Sequence, residues 1–169
     1  MIKINNLGMN KATNRELFAV HLKNAGELDE KLDLTSRYFV CFLCWDDSTN
    51  DTRDAISDFA GILLISGGVY FCVWGKGCSR VHDIIDLASY EQGQENESVI
   101  MTSWHEDESL DDALWFFLNS AFPDDRYFDE CRAGVAITIG STSECVARVD
   151  FALKFSEEFS TQVLHKKDI

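Results

Sequence analysis

The chain has 169 residues, of which 46% are hydrophobic and 26% charged, and its formal charge is −14 at pH 7. This length and composition are typical of one globular domain with a sizeable core, and no apolar run reaches the roughly 18 residues of a membrane span. Such an acidic surface repels nucleic acids and anionic membranes and attracts basic proteins. We therefore expect one domain over residues 1–169 that binds neither nucleic acid nor membrane.

The amino terminus and the cysteines indicate the compartment. The first residues lack the charged and then apolar layout of a signal peptide, which favours a cytoplasmic protein. Three of the six cysteines, Cys41, Cys44 and Cys72, lie in apolar stretches, where a thiol behaves as a small hydrophobe. We expect all six to be reduced, as in most cytosolic proteins.

The first segment predicts a short strand followed by a helix. Ile2-Lys-Ile4 suits an edge strand, and the residues that follow suit a loop. Thr13 and Glu16 have the spacing of a capping box, in which each side chain satisfies an end group of a helix. We expect that helix to run to about Asn24, with Leu17 and Val20 on its inner face.

Beyond residue 37, apolar stretches alternate with amphipathic ones. The predicted strands are Tyr38–Trp45, 69–74, 99–104 and 134–139. One predicted helix covers residues 52–66. Three more begin near Ser79, Ser109 and Ser143, and all four starts contain residues that can cap a helix. Pro123 is expected to stop the third of these helices, and 124–132 is expected to form a long loop. The stretch Tyr38–Trp45 is apolar on both faces, which places it in the middle of a covered sheet.

This alternation predicts an α/β three-layer sandwich. The connections are too long for hairpins, so the strands are expected to be parallel and joined by right-handed crossovers. The sheet would be open and mostly parallel, with four strands or five with the amino-terminal edge strand, in a flavodoxin-like or Rossmann-like style. Two strand orders stay open. In one, Asp46 lies beside Trp104 and His105, and in the other beside Gly140 and Ser141.

Ligands of open parallel sheets bind outside the carboxyl ends of the strands. At these ends the sequence gathers aromatic, cationic and nucleophilic side chains, together with the acidic pair Asp46-Asp47. The candidate ligand-binding residues are Trp74, Gly75, Lys76, Arg80 and Trp104. A catalytic interpretation would use Asp46, Cys78, His82 and His105.

Two specific chemistries are compatible with the residue types at these strand ends. A helix start and Arg80 would lower the pKa of the Cys78 thiol, but Arg80 is too close in sequence to wrap an anion, so we favour a structural cysteine. A metal could be held by His82, Asp83 and Asp86, joined by His105 and by Asp46 or Asp47. However, adjacent residues of a helix diverge by about 100°, so we predict no metal and no cofactor.

Carboxylates interleaved with aromatic residues follow the third strand and its helix. Such a surface suits a basic protein partner, because charge steers the encounter and rings anchor the complex. The candidate partner-binding residues are Glu106, Asp107, Glu108, Asp111, Asp112, Asp124, Asp125, Tyr127, Phe128, Asp129 and Glu130.

The small, acidic, aromatic-rich chain without a complete catalytic motif resembles bacterial immunity and inhibitor proteins in general character. That resemblance implies a protein that neutralises a basic partner such as a toxin, and favours a binding protein over an enzyme. The alternative is a small enzyme or a domain that binds a nucleotide or phosphorylated ligand at the strand ends.

Overall fold

The computed structural model describes residues 1–46, 49–92 and 99–168. They form an α/β three-layer sandwich around a six-stranded sheet of order β1-β2-β6-β3-β4-β5. The strands are β1 (Asn5–Asn10), β2 (Arg15–Leu22), β3 (Tyr38–Trp45), β4 (Gly68–Trp74), β5 (Met101–His105) and β6 (Cys131–Ile139). The helices are α1 (Arg53–Ser66), α2 (Cys78–Glu91), α3 (Leu110–Asn119), α4 (Asp125–Phe128), α5 (Ser143–Lys154) and α6 (Ser156–Lys167).

The predicted fold class is confirmed, and the sheet has more strands than expected. Strands β2 to β6 are mutually parallel, and β1 is antiparallel to β2. As predicted, β3 lies inside the sheet, between β4 and β6, and seven of its eight residues are buried. Its alternate residues serve two cores, because successive strand side chains point to opposite faces: Phe39, Cys41 and Leu43 face one core, and Val40, Phe42 and Cys44 the other.

The predicted helix over residues 13–24 is wrong, because this segment forms a turn and strand β2. The strand β2 pairs with β1 along one edge and with β6 along the other, so both of its edges are hydrogen-bonded to neighbouring strands. Phe18 and Val20 enter one core, whereas Leu17 and Ala19 enter the other. Burial on both faces explains this apolar run, and the capping-box spacing was coincidental. The predicted edge strand at residues 2–4 lies three residues too early, since β1 begins at Asn5.

The helices form the two outer layers. Helices α1 and α2 cover one face of the sheet, and α3, α5 and α6 cover the other. Thr52 and Ser109 cap α1 and α3 through their side chains, as predicted, but the cap of α2 is Gly77 and not Ser79. The last predicted helix is divided at Phe155 into α5 and α6, and the predicted loop 124–132 contains the short helix α4. Within the described ranges, no helix has the length and apolar character needed to cross a membrane.

The strand order produces a topological switch point. The chain leaves β3 for α1 on one face, and it leaves the adjacent β6 for α5 on the other face. Helices that depart in opposite directions open a crevice between the carboxyl ends of two such strands. Of the two open orders, the structure has the one that brings Asp46 beside Gly140 and Ser141: the Asp46 N–H donates to the Ile139 carbonyl, 3.1 Å away.

Candidate functional site

A pocket of about 400 Å³ occupies the switch point. It is lined by the ends of β3, β4 and β6 and by the first turn of α5. The lining residues are Cys44, Trp45, Asp46, Trp74, Gly75, Lys76, Glu106, Ser141, Thr142 and Cys145. Four predicted strand-end residues therefore meet in one pocket, namely Asp46, Trp74, Gly75 and Lys76. Asp47 lies outside the described residues.

The turn after β4 shapes one wall of this pocket. Gly75 has φ +117°, and a Cβ at this position would collide with the carbonyl oxygen of Trp45 on the neighbouring strand. The missing side chain lets the two backbones approach, and it places Trp74 and Lys76 on the wall. The indole N–H of Trp74 donates to the Glu108 carbonyl at 2.8 Å, which fixes the ring.

The opposite wall contains two thiols and two hydroxyl groups. The Ser141 hydroxyl contacts both the carbonyl oxygen and the Sγ of Cys44 at 3.4 Å. Thr142 caps α5 by accepting a hydrogen bond from the Cys145 N–H. Burial raises the pKa of the Cys44 thiol to about 11, so this sulfur is protonated at neutral pH. The pocket therefore offers hydroxyl and thiol groups for binding, and Cys44 is not an activated nucleophile.

Cys78 and Arg80 are absent from the lining of this pocket. Cys78 is fully buried in the core beneath α2, and burial raises the pKa of its thiol. The favoured interpretation of Cys78 as a structural cysteine therefore fits the structure, because the cost of burying a thiolate exceeds the attraction of the helix end. Arg80 is exposed and lies next to Asp51, whose carbonyl oxygen is 3.5 Å from a guanidinium nitrogen.

His82 binds the outer strand β5 from the α1–α2 side of the sheet. Its Nε2 is 2.8 Å from the Thr102 hydroxyl, and its Nδ1 is 3.1 Å from a carboxylate oxygen of Asp83. Thr102 also donates to Asp86 at 2.7 Å. The indole of Trp104 packs edge-on against the imidazole, with ring centroids 4.6 Å apart. His82, Asp83, Asp86 and Thr102 thus form one connected hydrogen-bond network.

His105 forms a similar network on the other face of β5. Its Nε2 is 2.9 Å from the Ser103 hydroxyl, and its Nδ1 is 2.9 Å from a Glu108 carboxylate oxygen. Because neighbouring strand residues alternate, Thr102 and Trp104 face α2, whereas Ser103 and His105 face α3. The two histidines are therefore separated by the sheet, and with Cys78 and Asp46 they do not form one site.

Two of the predicted partner-binding carboxylates are used within the fold. Arg148 donates two hydrogen bonds, of 2.8 and 3.0 Å, to the carboxylate of Asp111. This pairing with Arg148 lowers the pKa of Asp111. Asp112 pairs with Lys167 at 3.3 Å. Both carboxylates tie α3 to the carboxyl-terminal helices, whereas Glu106 and Asp107 are exposed.

The remaining predicted partner residues lie at the other end of the sheet. Helix α3 carries the chain from the carboxyl end of β5 back to the amino end of β6, where α4 holds the carboxylates of Asp124 and Asp125. Tyr127 packs against Tyr38 with ring centroids 4.8 Å apart, and Glu130 pairs with Arg37 at 3.1 Å. Phe128 and Asp129 are exposed. The two acidic groups are adjacent in sequence but do not form one surface.

The outer strand β5 carries a surface that was not predicted as a unit from the sequence. Among the described strands, β5 pairs only with β4. Trp104 is 54% exposed and Tyr90 of α2 is 83% exposed. We call the exposed apolar residues of β5, its entry and α2 the edge patch: Leu87, Tyr90, Val99, Met101 and Trp104. Carboxylates of α2 and of the turn after β5 form an acidic rim: Asp83, Asp86, Glu106, Asp107 and Glu108.

Sequence reasoning also missed Cys44 and Cys145 as pocket residues. Cys44 required knowledge of the strand order, because only the neighbour β6 brings Ser141 to it. Among the described residues, no group of three or more His, Cys, Asp or Glu side chains is arranged to hold a metal ion.

The fold and the crevice define a doubly wound α/β domain with a pocket at its switch point. A family model described as a domain of unknown function, DUF7684, matches residues 17–153, and the chain belongs to this family. No curated protein matches the sequence.

Proposed function

We propose that this is a binding protein, and that it holds a basic protein partner at the outer edge of β5. The observation that carries the proposal is an exposed edge strand with Trp104 and Met101 on its two faces and with the carboxylates of Asp86 and Glu108 bound to its side chains. Edge strands of monomeric proteins are usually short, covered or protected by charge, because their unpaired backbone groups invite another strand. Here an apolar patch accompanies an edge that pairs with no further strand among the described residues.

The edge patch and the acidic rim have complementary roles in this proposal. An extended segment of the partner adds to the sheet beside β5 through main-chain hydrogen bonds. Trp104 supplies a large aromatic anchor, a residue type that often contributes most to binding energy. Glu106 and Asp107 steer lysine- and arginine-rich surfaces toward the edge, which raises the association rate at low salt.

The finer proposal is that binding neutralises the partner, as an immunity protein or inhibitor does to a toxin. The formal charge of −14 supports this, because a strongly acidic chain suits a basic toxin. In a test of this part, the captured partner is expressed with and without the protein. The protein should restore growth when present, and its Trp104→Ala variant should not.

The primary test is capture of a partner from a lysate of the native host by immobilised protein. We expect a stoichiometric basic protein that is retained at about 50 mM salt and released at several hundred millimolar. Trp104→Ala and the double change Glu106→Gln, Asp107→Asn should each weaken its capture. Leu164→Ala is the matched control, because Leu164 is a similarly exposed apolar residue on α6.

The site is assigned by comparing these variants. If Trp104→Ala captures the partner as well as the wild type, β5 is not the docking edge. If Asp124→Asn with Asp125→Asn abolishes capture instead, the partner binds at the opposite end of the sheet. Retention that is indifferent to salt contradicts the electrostatic part of the proposal.

A second candidate function is small-molecule binding in the switch-point pocket, since ligands of doubly wound sheets bind at this position. Two tryptophans border a volume of about 400 Å³, with Asp46 and Glu106 beside the one lysine, Lys76. This charge balance favours a flat, neutral or amine-bearing ligand over a phosphate. Ligand binding should change the fluorescence of Trp74, and Ser141→Phe, which fills the pocket, should abolish the change. A ligand whose signal survives this substitution binds elsewhere.

A further inference from the structure

A buried arginine without a counter-ion lies at the amino ends of the strands, opposite the switch-point pocket. Arg15, the first residue of β2, is only 4% exposed. Its Nε has no hydrogen-bond partner, and among the described residues no carboxylate forms an ion pair with it. Burial lowers its pKa, and the titratable groups that act on it are the thiols of Cys131 and Cys72, which carry no charge at neutral pH because burial raises their own pKa values. A buried guanidinium is normally paired, because a charge without a partner is unfavourable away from water.

The guanidinium borders a small cavity of about 130 Å³. This cavity lies between the β1–β2 turn and the segment that joins α3 to β6. The hydroxyl of Thr13 is a second lining group whose buried oxygen has no hydrogen-bond partner. Two unsatisfied polar side chains in one cavity are unusual, because more than 90% of buried polar groups in proteins are paired. Together they point to a missing acceptor.

We propose that this cavity is an oxyanion site, in which Arg15 and Thr13 bind a carboxylate or phosphate group of a ligand. Arginine presents a planar fork of N–H donors that matches both groups, and a hydroxyl can donate a further hydrogen bond. A volume of 130 Å³ corresponds to roughly four water molecules at about 30 Å³ each. It therefore holds one such group but not a whole nucleotide.

The mouth of the cavity indicates what the rest of the ligand is like. Phe122 and Phe128 are both about half exposed, their ring centroids are 6.3 Å apart, and Arg15 lies 5.7 Å from the centroid of Phe122. Arg132 lines the cavity from its exposed side and donates through Nε to the Asp129 carbonyl at 3.1 Å. An oxyanion attached to an apolar group would place its head on Arg15 and its body on the two rings.

The test uses two probes, inorganic phosphate and phenylacetate, at an ionic strength held constant with sodium chloride. The melting temperature of the wild type should rise by about 3–5 °C for each tenfold increase of the effective probe above its Kd. A response to phosphate alone identifies a free or terminal phosphate as the ligand group. A response to phenylacetate alone identifies a carboxylate on an apolar body.

Variants separate this site from general anion effects. Arg15→Met should lose the response and, in anion-free buffer, should be at least as stable as the wild type, because a buried unpaired charge is removed. Arg53→Met is the matched control, since Arg53 is exposed at the start of α1, and its response should equal that of the wild type. Asp129→Asn should bind more tightly, because the nearest competing carboxylate at the cavity is removed.

Several results would overturn the oxyanion site. These are no response of the wild type to either probe, an equal response in Arg15→Met, and a loss of stability in Asp129→Asn that marks Asp129 as the internal counter-ion of Arg15. If Arg15→Met does not fold, Thr13→Val keeps the arginine and should weaken binding about tenfold, the effect of one hydrogen bond to a charged group. The NMR signal of the Arg15 Nε–H should also shift with the effective probe, and an unmoved signal counts against the site.

Discussion

Single glycines determine how closely the strands approach at the switch point. Gly75 has φ +117°, and a Cβ there would meet the backbone of Trp45. Gly8 has φ +109°, but a Cβ there would meet no atom within 4 Å. An alanine at Gly8 therefore measures the energetic cost of a left-handed backbone alone, whereas an alanine at Gly75 adds the cost of a steric collision.

We predict that Gly75→Ala lowers the free energy of unfolding far more than Gly8→Ala does. Gly8→Ala should cost about 1–2 kcal/mol, the usual cost of an alanine at positive φ. Gly75→Ala should cost at least about 2 kcal/mol more, because a backbone atom must move. Urea denaturation of both variants measures the difference. An equal loss of unfolding free energy in the two variants would mean that β3 and β4 can separate without penalty and that this wall of the pocket is deformable.

The pairing of Asp111 with Arg148 gives a pH-dependent stability. The guanidinium also lies over the rings of Phe159 and Phe151, at 4.9 and 5.2 Å from their centroids, so it is held in place. Hydrogen bonds from Arg148 lower the pKa of Asp111 below its ordinary value of 3.8. Since the pKa is lower in the folded state than in the unfolded state, the stabilisation is complete well above 3.8 and is lost as pH falls through the folded value.

We predict that Asp111→Asn destabilises the protein by about 1–3 kcal/mol at pH 7, the usual value for charge-assisted hydrogen bonds. The difference from the wild type should shrink as the pH is lowered from 5 toward 3. Urea denaturation across this range gives both numbers. The exposed carboxylate Asp107 supplies the control, Asp107→Asn, which should change stability little at any pH. A difference that stays constant down to pH 3 would assign the effect to packing and not to charge.

At the scale of elements, the outer strand β5 is held by a neighbouring strand on one side and by histidine networks on both faces. Thr102 connects the strand to His82 and Asp86 of α2, at 2.8 and 2.7 Å. An element paired on one side only should open locally before the central strands do.

We predict that Thr102→Val increases hydrogen exchange in β5 without a matching increase in β6. The valine keeps the shape but leaves His82 and Asp86 without their shared hydroxyl, at a cost of about 1–2 kcal/mol. Amide exchange over Met101–His105 should rise about five- to thirtyfold, the equivalent of that cost for local opening. An equal rise over Cys131–Ile139 would instead show that β5 opens only with the whole sheet.

The same scale explains which elements were predictable from the sequence. β3, β4 and β6 have apolar runs bounded by turn residues, and α1 and α3 have helical spacing after Thr52 and Ser109. For these elements, local pattern and tertiary environment agree. The segment 13–24 differs, because its capping-box spacing indicates a helix whereas its apolar run is explained only by β1 and β6 on either side. Pairing between distant strands decides this segment, and no local pattern contains that information.

The candidate sites also differ in whether local sequence pattern or the pairing of distant segments determines them. The strand-end rule found Trp74, Gly75, Lys76 and Asp46, because it needs only the identity of the parallel strands. The oxyanion cavity was not found, since Arg15 was placed in the first turn of an expected helix, where it would be solvated. Its burial depends on Phe122, more than one hundred residues away in the chain. The edge patch was missed because the edge position of β5 follows from strand order alone.

At the scale of the whole molecule, the formal charge of −14 acts in opposite directions on folding and on binding. Unbalanced carboxylates repel one another in the compact state, whereas the exposed ion pair Arg37–Glu130 contributes little because solvent screens it. With 29 acidic and 15 basic side chains, repulsion should exceed attraction. Salt screens both, with a Debye length of about 10 Å at 0.1 M and about 3 Å at 1 M.

We therefore predict that sodium chloride raises the melting temperature of the free protein while it weakens capture of the basic partner. The melting temperature and the capture should both change most between about 0.05 and 0.3 M sodium chloride, because the Debye length falls to the spacing of surface charges in this range. Scanning calorimetry and capture experiments at matched salt concentrations test the two signs in one preparation. Glu106→Gln with Asp107→Asn should reduce the salt dependence of both the melting temperature and the capture. The double change removes charges that repel other carboxylates and that steer the basic partner. A melting temperature that falls with salt would show that attraction in surface ion pairs outweighs repulsion among the excess carboxylates. The affinity for a basic partner would then need a source other than net charge.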